Sequence, residues 1–371
     1  MTNFKKRQLT PSQHQAAGHD GCMTSDSLFI KPTTRQELDF YQRTLELDEA
    51  SHEEPLLGAL LSHWMPPWLG QLSQSDIDSP PPPTSSSAST LEIATTQDSS
   101  RKFIVLQNLY HGIIHPNILD IKLGSTLTDD KVTPKAKIER LRQVSLNTTS
   151  GTLGFRICGM KVYQNHHHQG KEQSQVVMPR ELFKEMQSCI TADSMLENIE
   201  YDGVEREEKT TYLEFNKYFG RGLDVNNIAD ALRLFFANLH HAKMLIHRFV
   251  QRLQLLHNCL LSYHTRMYSA SLLFVVEGDS RRWSTVNGAN YDEFDPLVYE
   301  FDPAQDDEED DEEKEEDEGD KVIRIPLGNP SRLSGLYLID FAHSKHVDAK
   351  EGLDDNVLDG IENLIEIFAK L

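Results

Sequence analysis

Two charged side chains, Asp120 and Lys122, lie two residues apart within the otherwise apolar segment HPNILDIKLG. Successive side chains of a strand face opposite sides, so these two point one way while Leu119, Ile121 and Leu123 point the other. A strand of this kind would be apolar on one face and charged on the other. The two charged groups either pair with each other at the surface or meet a ligand, and this segment alone leaves both alternatives open.

Phosphoryl transfer from ATP uses charged groups of this kind. It requires a backbone turn over the phosphates, a lysine beside them, a carboxylate for Mg2+ and a positive surface for the acceptor. The glycine-bearing turn AAGHDG at 16–21 can approach phosphates closely, Lys31 ends the next predicted strand, and Glu37 opens a helix from which it could orient that lysine. Each feature has an ordinary alternative, because most glycine turns are only turns and most lysines at strand ends are exposed.

A further candidate, Asp340, follows the apolar run of LYLIDF directly. A carboxylate at such a position is costly to bury unless a cation or a hydrogen-bonding partner accompanies it. The pattern therefore favours a carboxylate that faces a metal ion. An aspartate that caps a helix or forms a turn at the end of the strand is the alternative.

Positive charge is concentrated in the segment KVTPKAKIERLR, from Lys131 to Arg142, which holds five cations and one acid. Pro134 stands where a helix would begin, and Lys137 and Arg140 would then share a helix face. A basic helix is usually a solvated surface. Beside a strand that presents Asp120 and Lys122, this helix could instead bind a small, multiply phosphorylated ligand through charge-assisted hydrogen bonds.

Periodicity and turn residues indicate the elements that must position these groups. A threonine cap precedes Glu37 in TTRQELDFYQRTLEL, which predicts a helix, and the alternation in GTLGFRICGMKVY predicts a pair of strands within 151–163. Two helices are expected near 227–239 and 241–263, since their apolar residues recur at helical spacing. Further strands are predicted at KFIVLQNL, SLLFVVEG and GLYLIDFAHS, and a closing helix at VLDGIENLIEIFAKL.

Length and charge bound the organisation of the chain. Its 371 residues exceed a typical single core, which favours two lobes. Much of its net charge of −21 lies in one run, Asp306 to Asp320, which holds thirteen acids and one lysine. Self-repulsion predicts a disordered insertion at about 292–320, with an interaction role as the alternative. The proline- and serine-rich stretch at 79–90 is expected to be a surface loop.

Several other classes of site and protein are disfavoured. The cysteines at 22, 158, 189 and 259 lack CxxC spacing and no charged start precedes an apolar leader, so a reducing compartment is expected. The apolar stretch at 56–70 is short and broken by prolines, which argues against a membrane span. His166, His167 and His168 are consecutive and therefore do not converge readily on one metal ion.

The segment PNILDIKLG matches the PxxxDxKxG signature of the inositol polyphosphate kinase family, which the sequence resembles over nearly its whole length. Five further blocks occur in the family's order and make the chain most similar to its fungal multikinases: AAGHDG, QELDFY, TTSGTLGFRICGMKVY, SLLF and LIDFAHS. The resemblance implies an α+β, two-lobed, protein-kinase-like fold with ATP between the lobes. The N-terminal lobe would span 1–109 and the C-terminal lobe 110–371, with the segment at 131–145 binding inositol phosphate.

The resemblance also implies roles for residues on the nucleotide side. Asp120 would hold the ribose hydroxyls of ATP, and Lys31 would contact the ATP phosphates with Glu37 as its ion-pair partner. The hinge whose backbone meets adenine would run from Gln107 to Leu109, although Gln107 stands where the family commonly has an acid.

On the acceptor side, the resemblance implies that Lys122 reaches the transferred phosphate and that Asp340 binds Mg2+. Asp120, Lys122 and Asp340 would then form the catalytic set. A larger set would bind the phosphates of the acceptor, namely Lys122, Lys137, Arg140, Arg142, His343 and, at the rim of the pocket, Lys217.

The implied activity is an ATP- and Mg2+-dependent phosphorylation of inositol 1,4,5-trisphosphate to tetrakis- and pentakisphosphates. One alternative is a kinase that makes pyrophosphates from inositol hexakisphosphate. The other is a transcriptional interaction protein that associates with a MADS-box regulator, as fungal members of the family do. The resemblance implies a soluble, nuclear and cytoplasmic protein without a transmembrane segment or direct contact with nucleic acid.

Overall fold

The computed structural model of the chain describes residues 9–11, 21–25, 27–50, 56–74, 101–164, 190–192, 211–237, 239, 241–286 and 333–371. Four features of the sequence analysis lie outside these residues, namely the glycine turn at 16–21 except for Gly21, the stretch at 79–90, the histidines at 166–168 and the acidic insertion at about 292–320.

The smaller of the two main sheets is built from the first part of the chain. Its strands are β1 (Thr10–Pro11), β2 (Met23–Ser25), β3 (Leu28–Pro32), β4 (Trp68–Ser73) and β5 (Lys102–Gln107). They pair antiparallel in the order β1-β2-β3-β5-β4. Strand β3, which carries Lys31, is therefore an interior strand and has a hydrogen-bonded neighbour on each side.

Helix α1 (Arg35–Glu49) follows β3 and confirms the helix predicted there. The side chain of Thr34 caps it by accepting a hydrogen bond of 3.2 Å from the backbone N–H of Glu37. Phe40 and Tyr41 lie on its buried face and belong to the main hydrophobic core. The cap thus fixes the start of a helix whose first turn carries Glu37.

The larger sheet lies at the centre of the remaining chain. Its strands are β6 (Pro116–Leu123), β7 (Phe155–Gln164), β8 (Ile190–Ala192), β9 (Thr211–Phe215), β11 (Ser271–Glu277) and β12 (Ser334–Ile339). They pair antiparallel in the order β12-β11-β6-β7-β9-β8. A separate two-stranded sheet joins β10 (Thr265–Met267) to β13 (Ser344–His346). Strand β6, with Asp120 and Lys122, is interior and is buried along most of its length.

Helices cover the larger sheet and complete an α+β fold. They are α2 (Lys135–Leu146), α3 (Thr149–Leu153), α4 (Lys217–Gly222), α5 (Ile228–Phe236), α6 (Ala242–Leu260), α7 (Ser280–Val286) and α8 (Asp355–Phe368), with short 3-10 helices at Leu61–Trp64 and Ala349–Glu351. The helices predicted near 227–239 and 241–263 are confirmed by α5 and α6. No helix among the described residues combines the length and the apolar character needed to cross a bilayer.

The main hydrophobic core lies on the apolar face of β6. Leu119, Ile121 and Leu123 of that strand are fully buried in a core shared with α5, α6 and α8. Phe274 of β11 stacks on Phe368 of α8 with ring centroids 5.4 Å apart. Burial of this face leaves the opposite face of β6, with Asp120 and Lys122, for the site.

The strand pair predicted within 151–163 is wrong. The structure has the helical turn α3 there, followed by the single long strand β7. The hydroxyl of Thr148 caps this turn by accepting a hydrogen bond of 3.4 Å from the N–H of Ser150. Gly154 ends the turn with a left-handed φ of 69°, and a Cβ there would lie 3.0 Å from the backbone of Gly360. Cap and glycine together form a helix end that the alternating pattern hides.

Candidate active site

The two predicted faces of β6 are confirmed. Asp120 is 6% exposed and lies between Leu273 of β11 and Gly159 of β7. Lys122 points from the same face and is opposite Arg156 of β7. A carboxylate and an ammonium therefore project side by side from an interior strand, with the apolar core behind them.

Lys122 does not bridge to Asp120 within the described part of the chain. Its Nζ donates a hydrogen bond of 2.6 Å to the backbone carbonyl of Ser269, in the turn between β10 and β11. Ser269 has a left-handed φ of 59°, a conformation that is strained for serine and recurs at functional sites. The sequence gives no signal for Ser269, because nothing in the pattern shows that its carbonyl meets this lysine.

A β-bulge interrupts the pairing of β6 with β7 beside Asp120. Asp120 lies opposite Gly159 whereas Ile121 lies opposite Ile157, so Cys158 is an extra residue on β7. Burial raises the pKa of the Cys158 thiol and Asp120 raises it further, against the opposing effect of Lys122. The thiol thus lies within the field of the site's charged groups and stays neutral near pH 7. No motif in the sequence identifies Cys158 as part of the site.

Lys31 lies between two carboxylates. Its Nζ is 2.8 Å from Oε1 of Glu37 and 3.1 Å from Oδ1 of Asp340. Lys31 is 8% exposed and Glu37 1%. Burial alone would lower the pKa of Lys31, but the charges of Asp340 and Glu37 hold it above its ordinary value. An ammonium has three N–H donors, so two such contacts leave one for a phosphate oxygen.

Asp340 follows β12 with a left-handed φ of 68°. The next residue, Phe341, stacks on Phe40 of α1 with centroids 4.8 Å apart and meets the edge of Tyr41 at 5.4 Å. Asp340 therefore lies in a turn at the end of the strand, which was the alternative to a metal-facing carboxylate. Its carboxylate also contacts the buried ammonium of Lys31. Aromatic packing against α1 holds this turn in place.

Two phenols lie near the carboxylates of the site, that of the buried Tyr41 and that of the half-buried Tyr110. Burial raises the pKa of Tyr110, and the charges of Asp120 and Asp340 add to the effect. Burial likewise raises the pKa of Tyr41, with Glu37 and Asp340 adding to it. Both phenols remain protonated and neutral near pH 7. The sequence pattern identifies neither tyrosine as part of the site, since a tyrosine after a strand or inside a helix usually belongs to the core.

The predicted hinge, Gln107 to Leu109, connects the smaller sheet to the larger one. The N–H of Gln107 donates to the carbonyl of Pro67 at 3.0 Å, and the N–H of Asn108 donates to that of Ser27 at 2.8 Å. The residues that follow pack on a small apolar cluster beside Asp120, which contains Leu109, Tyr110, Ile113, Ile118, Leu273, Val275, Tyr337 and Ile339. An apolar surface next to a backbone segment and a carboxylate suits a flat base with its ribose.

Lys137 and His343 lie together near Lys122. Nζ of Lys137, in the first turn of α2, is 3.5 Å from Nε2 of His343. Partial burial lowers the pKa of His343, and the positive charges of Lys137 and Lys122 lower it further. His343 is therefore mostly neutral near pH 7.

The other three residues predicted to bind the acceptor do not all lie beside Lys137. Arg140 is exposed and lies about 60° around α2 from Lys137, on the same side. Arg142 points elsewhere, with Nη2 3.5 Å from Oδ2 of Asp130, so the structure does not bring it to Lys137. Lys217 begins α4, and its Nζ lies 5.4 Å from the centroid of the Tyr218 ring.

One carboxylate of the site is a candidate ligand for a divalent metal ion. No group of three or more His, Cys, Asp or Glu side chains among them could hold a metal ion by itself. Mg2+ commonly takes one or two carboxylates and completes its coordination with substrate phosphates and water. The carboxylate of Asp340, with Oδ1 3.1 Å from Nζ of the buried Lys31, is the candidate for this role.

Known proteins resemble this chain over most of its length. The sequence model of the family described as inositol polyphosphate kinase matches residues 103–369. Inositol polyphosphate multikinase of Saccharomyces cerevisiae is 36% identical over 377 residues, which cover 96% of this chain and 97% of that protein. The multikinase of Schizosaccharomyces pombe is 25% identical over 363 residues, 96% of each. The solved S. cerevisiae inositol phosphate multikinase in complex with ADP and Mn2+ matches with a TM-score of 0.60 and 33% identity, covering 93% of this chain and 98% of that one.

Proposed function

Since the chain belongs to the inositol polyphosphate kinase family, we propose that it transfers the γ-phosphoryl group of ATP to inositol 1,4,5-trisphosphate, giving tetrakis- and pentakisphosphates. One observation carries the proposal. A single face of β6 presents Asp120 beside an apolar cluster at the hinge and Lys122 near the ammonium of Lys137 and the imidazole of His343. The protein surface suited to a nucleotide and the surface suited to a polyphosphate thus lie next to each other along one strand.

The nucleotide side of the proposal follows from neighbouring groups. The apolar cluster would hold adenine, Asp120 would accept hydrogen bonds from the ribose hydroxyls, and Lys31 would direct its remaining N–H at a phosphate. The solved relative binds ADP and Mn2+, which supports ATP and a divalent ion here. We assign Mg2+ to the carboxylate of Asp340, where a bound ion would neutralise charge on the ATP phosphates.

Positioning and charge neutralisation would carry out the reaction. Lys122 projects between the nucleotide and acceptor sides, so its ammonium can stabilise negative charge on the phosphoryl group during transfer. Lys137, Arg140 and His343 would hold ring phosphates and so aim a ring hydroxyl at the γ-phosphorus. Because Lys31 is fixed by two carboxylates, it needs little reorganisation when the nucleotide binds.

A product profile tests the proposal. The purified protein is incubated with Mg-ATP and inositol 1,4,5-trisphosphate, and the products are separated by ion-exchange chromatography. We expect tetrakis- and pentakisphosphates to appear as the substrate disappears. A parallel incubation with inositol hexakisphosphate tests the pyrophosphate-forming alternative. If the trisphosphate persists with Mg2+ and with Mn2+, the proposed activity is wrong.

Association with a MADS-box regulator and a nuclear and cytoplasmic location remain predictions from the resemblance. A catalytically inactive Asp340→Asn protein separates the two roles in cells. An interaction role would be retained by this variant, whereas a role of the inositol phosphate products would be lost.

A further inference from the structure

Helix α2, which carries Lys137, lies outside the hydrophobic core. Ser145 is its one buried residue, and none of its residues belongs to the hydrophobic clusters of the described part of the chain. At its C-terminal end, the hydroxyl of Ser145 donates a hydrogen bond of 2.6 Å to the carbonyl of Ser125. Lys137 lies at the other end. Packing on the core does not fix the position of this lysine, so polar contacts before the helix must do so.

Residues 127–134, here called the lead-in segment, precede α2 and carry a buried carboxylate, that of Asp129. Asp129 is 7% exposed, and its Oδ1 accepts a hydrogen bond of 3.0 Å from the N–H of Lys131. Its backbone carbonyl accepts another, also of 3.0 Å, from the N–H of Thr133. These bonds close a turn just before Pro134, the N-cap of α2. Asp129 therefore fixes the point at which the helix begins.

Asp129 also forms an ion pair with Lys345 of β13. The hydrogen bond from Lys345 lowers the pKa of Asp129, and the same bond raises the pKa of Lys345. Both groups are therefore charged near pH 7. Because the carboxylate is shielded from water, solvent and salt screen this pair less than an exposed one.

This ion pair connects the two segments that carry Lys137 and His343. Lys345 follows His343 by two residues, and Asp129 lies in the segment that leads into the helix of Lys137. Nζ of Lys137 and Nε2 of His343 lie 3.5 Å apart. The distance between these two groups therefore depends on a link that neither of them makes.

The lead-in segment is also tied to the partner of Lys122. The hydroxyl of Ser269 donates a hydrogen bond of 2.9 Å to the carbonyl of Leu127, at the start of the segment. The carbonyl of Ser269 in turn accepts the hydrogen bond from Nζ of Lys122. One short segment thus links the surroundings of Lys122 to the beginning of α2.

We propose that Asp129 and Lys345 are positioning residues for the acceptor, and that their ion pair holds Lys137 and His343 at the spacing that binds a ring phosphate. The inference rests on the proposed function. Neither residue of the pair needs to touch the substrate, since a displacement of about 1 Å in a binding group is enough to impair an active site. Groups that are fixed before the ligand arrives also lose less conformational entropy on binding.

The kinetic test compares Lys345→Met and Asp129→Asn with two control variants of an exposed pair, Lys370→Met and Glu366→Gln. Each substitution in the Asp129–Lys345 pair should raise the KM for inositol 1,4,5-trisphosphate by about 5- to 20-fold. The KM for ATP and kcat should stay within about threefold, because the contacts of the nucleotide are unchanged. Lys345→Arg, which keeps a charged donor, should restore most of the loss, and both controls should match the wild type.

The titration of His343 distinguishes positioning from a direct effect of the lost charge. Partial burial lowers the pKa of His343, and the charges of Lys137 and Lys122 lower it further. If Lys137 moves away, NMR titration should show a raised pKa in both Lys345→Met and Asp129→Asn. A direct effect would have opposite signs in the two variants, since loss of a positive charge raises the pKa of an imidazole and loss of a negative charge lowers it.

The double variant tests whether the two residues act as one pair. Its KM for the trisphosphate should then be close to that of either single variant, because the second substitution removes a partner that has already lost its bond. The inference is wrong if both single variants keep the wild-type KM for the trisphosphate. It is equally wrong if the KM values for ATP and the trisphosphate rise together, which is the result of a general structural role.

Failure of the proposed function gives a different result. A wild-type protein that does not consume the trisphosphate overturns the function, and the titration of His343 then still tests the pair. A pKa of His343 that is unchanged or lower in Asp129→Asn shows that the pair does not hold Lys137 in place. The resonance of His343 is assigned by its absence from the spectrum of His343→Gln.

Discussion

Lys31 of β3 and Asp340 after β12 form an ion pair between the two main sheets, with 3.1 Å between Nζ and Oδ1. The two residues are 309 positions apart in the chain. The lysine that would contact the ATP phosphates and the carboxylate that would hold the metal ion are therefore positioned by each other. Glu37, at 2.8 Å from the same ammonium, supports this arrangement from α1.

Asp340→Asn should abolish most activity while leaving stability nearly unchanged. The amide keeps the shape of the side chain but cannot neutralise a divalent cation, so we expect kcat to fall by about 100-fold or more. Tm should change little, because Lys31 keeps Glu37 as a partner. Turnover of inositol 1,4,5-trisphosphate and thermal unfolding measure the two effects, with the exposed Asp230→Asn as control. A large fall in Tm would favour a structural role.

Glu37→Gln should weaken both nucleotide binding and the fold. Glu37 also accepts a hydrogen bond of 2.8 Å from the hydroxyl of Thr33, so the amide disturbs two contacts in a buried place. We expect a loss of about 1–3 kcal/mol in the free energy of unfolding, and a higher KM for ATP. Urea denaturation and initial rates at varied ATP provide the measurements.

The matched control for Glu37→Gln is Asp39→Asn on the same helix. Asp39 pairs with Arg35 at 2.7 Å, but both side chains are exposed, and such pairs contribute little. Equal losses of unfolding free energy and equal increases in the KM for ATP in the two variants would show that the burial of Glu37 does not cause these effects.

Lys137→Gln should impair acceptor binding and change the titration of His343. Because Lys137 lowers the pKa of His343, removing its charge should move that pKa upward. The KM for the inositol phosphate should rise about tenfold, with little change for ATP. NMR titration of the imidazole and initial rates check both expectations. Lys370→Gln, at an exposed pair with Glu366, is the control. An unchanged pKa of His343 would contradict the observed contact.

His346 should make the fold less stable as the pH falls. Burial lowers its pKa from 6.5 to about 4, and the ring stacks on Phe40 with centroids 4.8 Å apart. Below about pH 6.5 the imidazole of His346 is protonated in the unfolded chain, whereas in the folded chain it stays neutral until about pH 4. The free energy of unfolding therefore decreases as the pH falls between these values.

Between pH 7 and pH 5 this difference in proton binding should lower the free energy of unfolding by about 2 kcal/mol. Urea denaturation at the two pH values, in the wild type and in His346→Gln, isolates it, because other titrating groups contribute equally to both proteins. An equally steep pH dependence in the variant would show that His346 titrates normally in the fold.

The sequence pattern predicts the structure correctly where the controlling interactions are short-range. The hydroxyl of Thr34 and the N–H of Glu37 meet three residues apart, and the two faces of β6 follow from alternation alone. It failed at 151–163, where the left-handed Gly154 and its close approach to Gly360 end a helical turn that alternation cannot reveal.

The sequence by itself determined which residues carry charge, which strand face is polar and where α1 and α2 begin, because caps and periodicity act within one or two turns. Only the tertiary structure decided which distant groups meet. The bond from Lys122 to the carbonyl of Ser269 and the contact between Lys31 and Asp340 arise from strand order and register, which depend on the packing of the whole core.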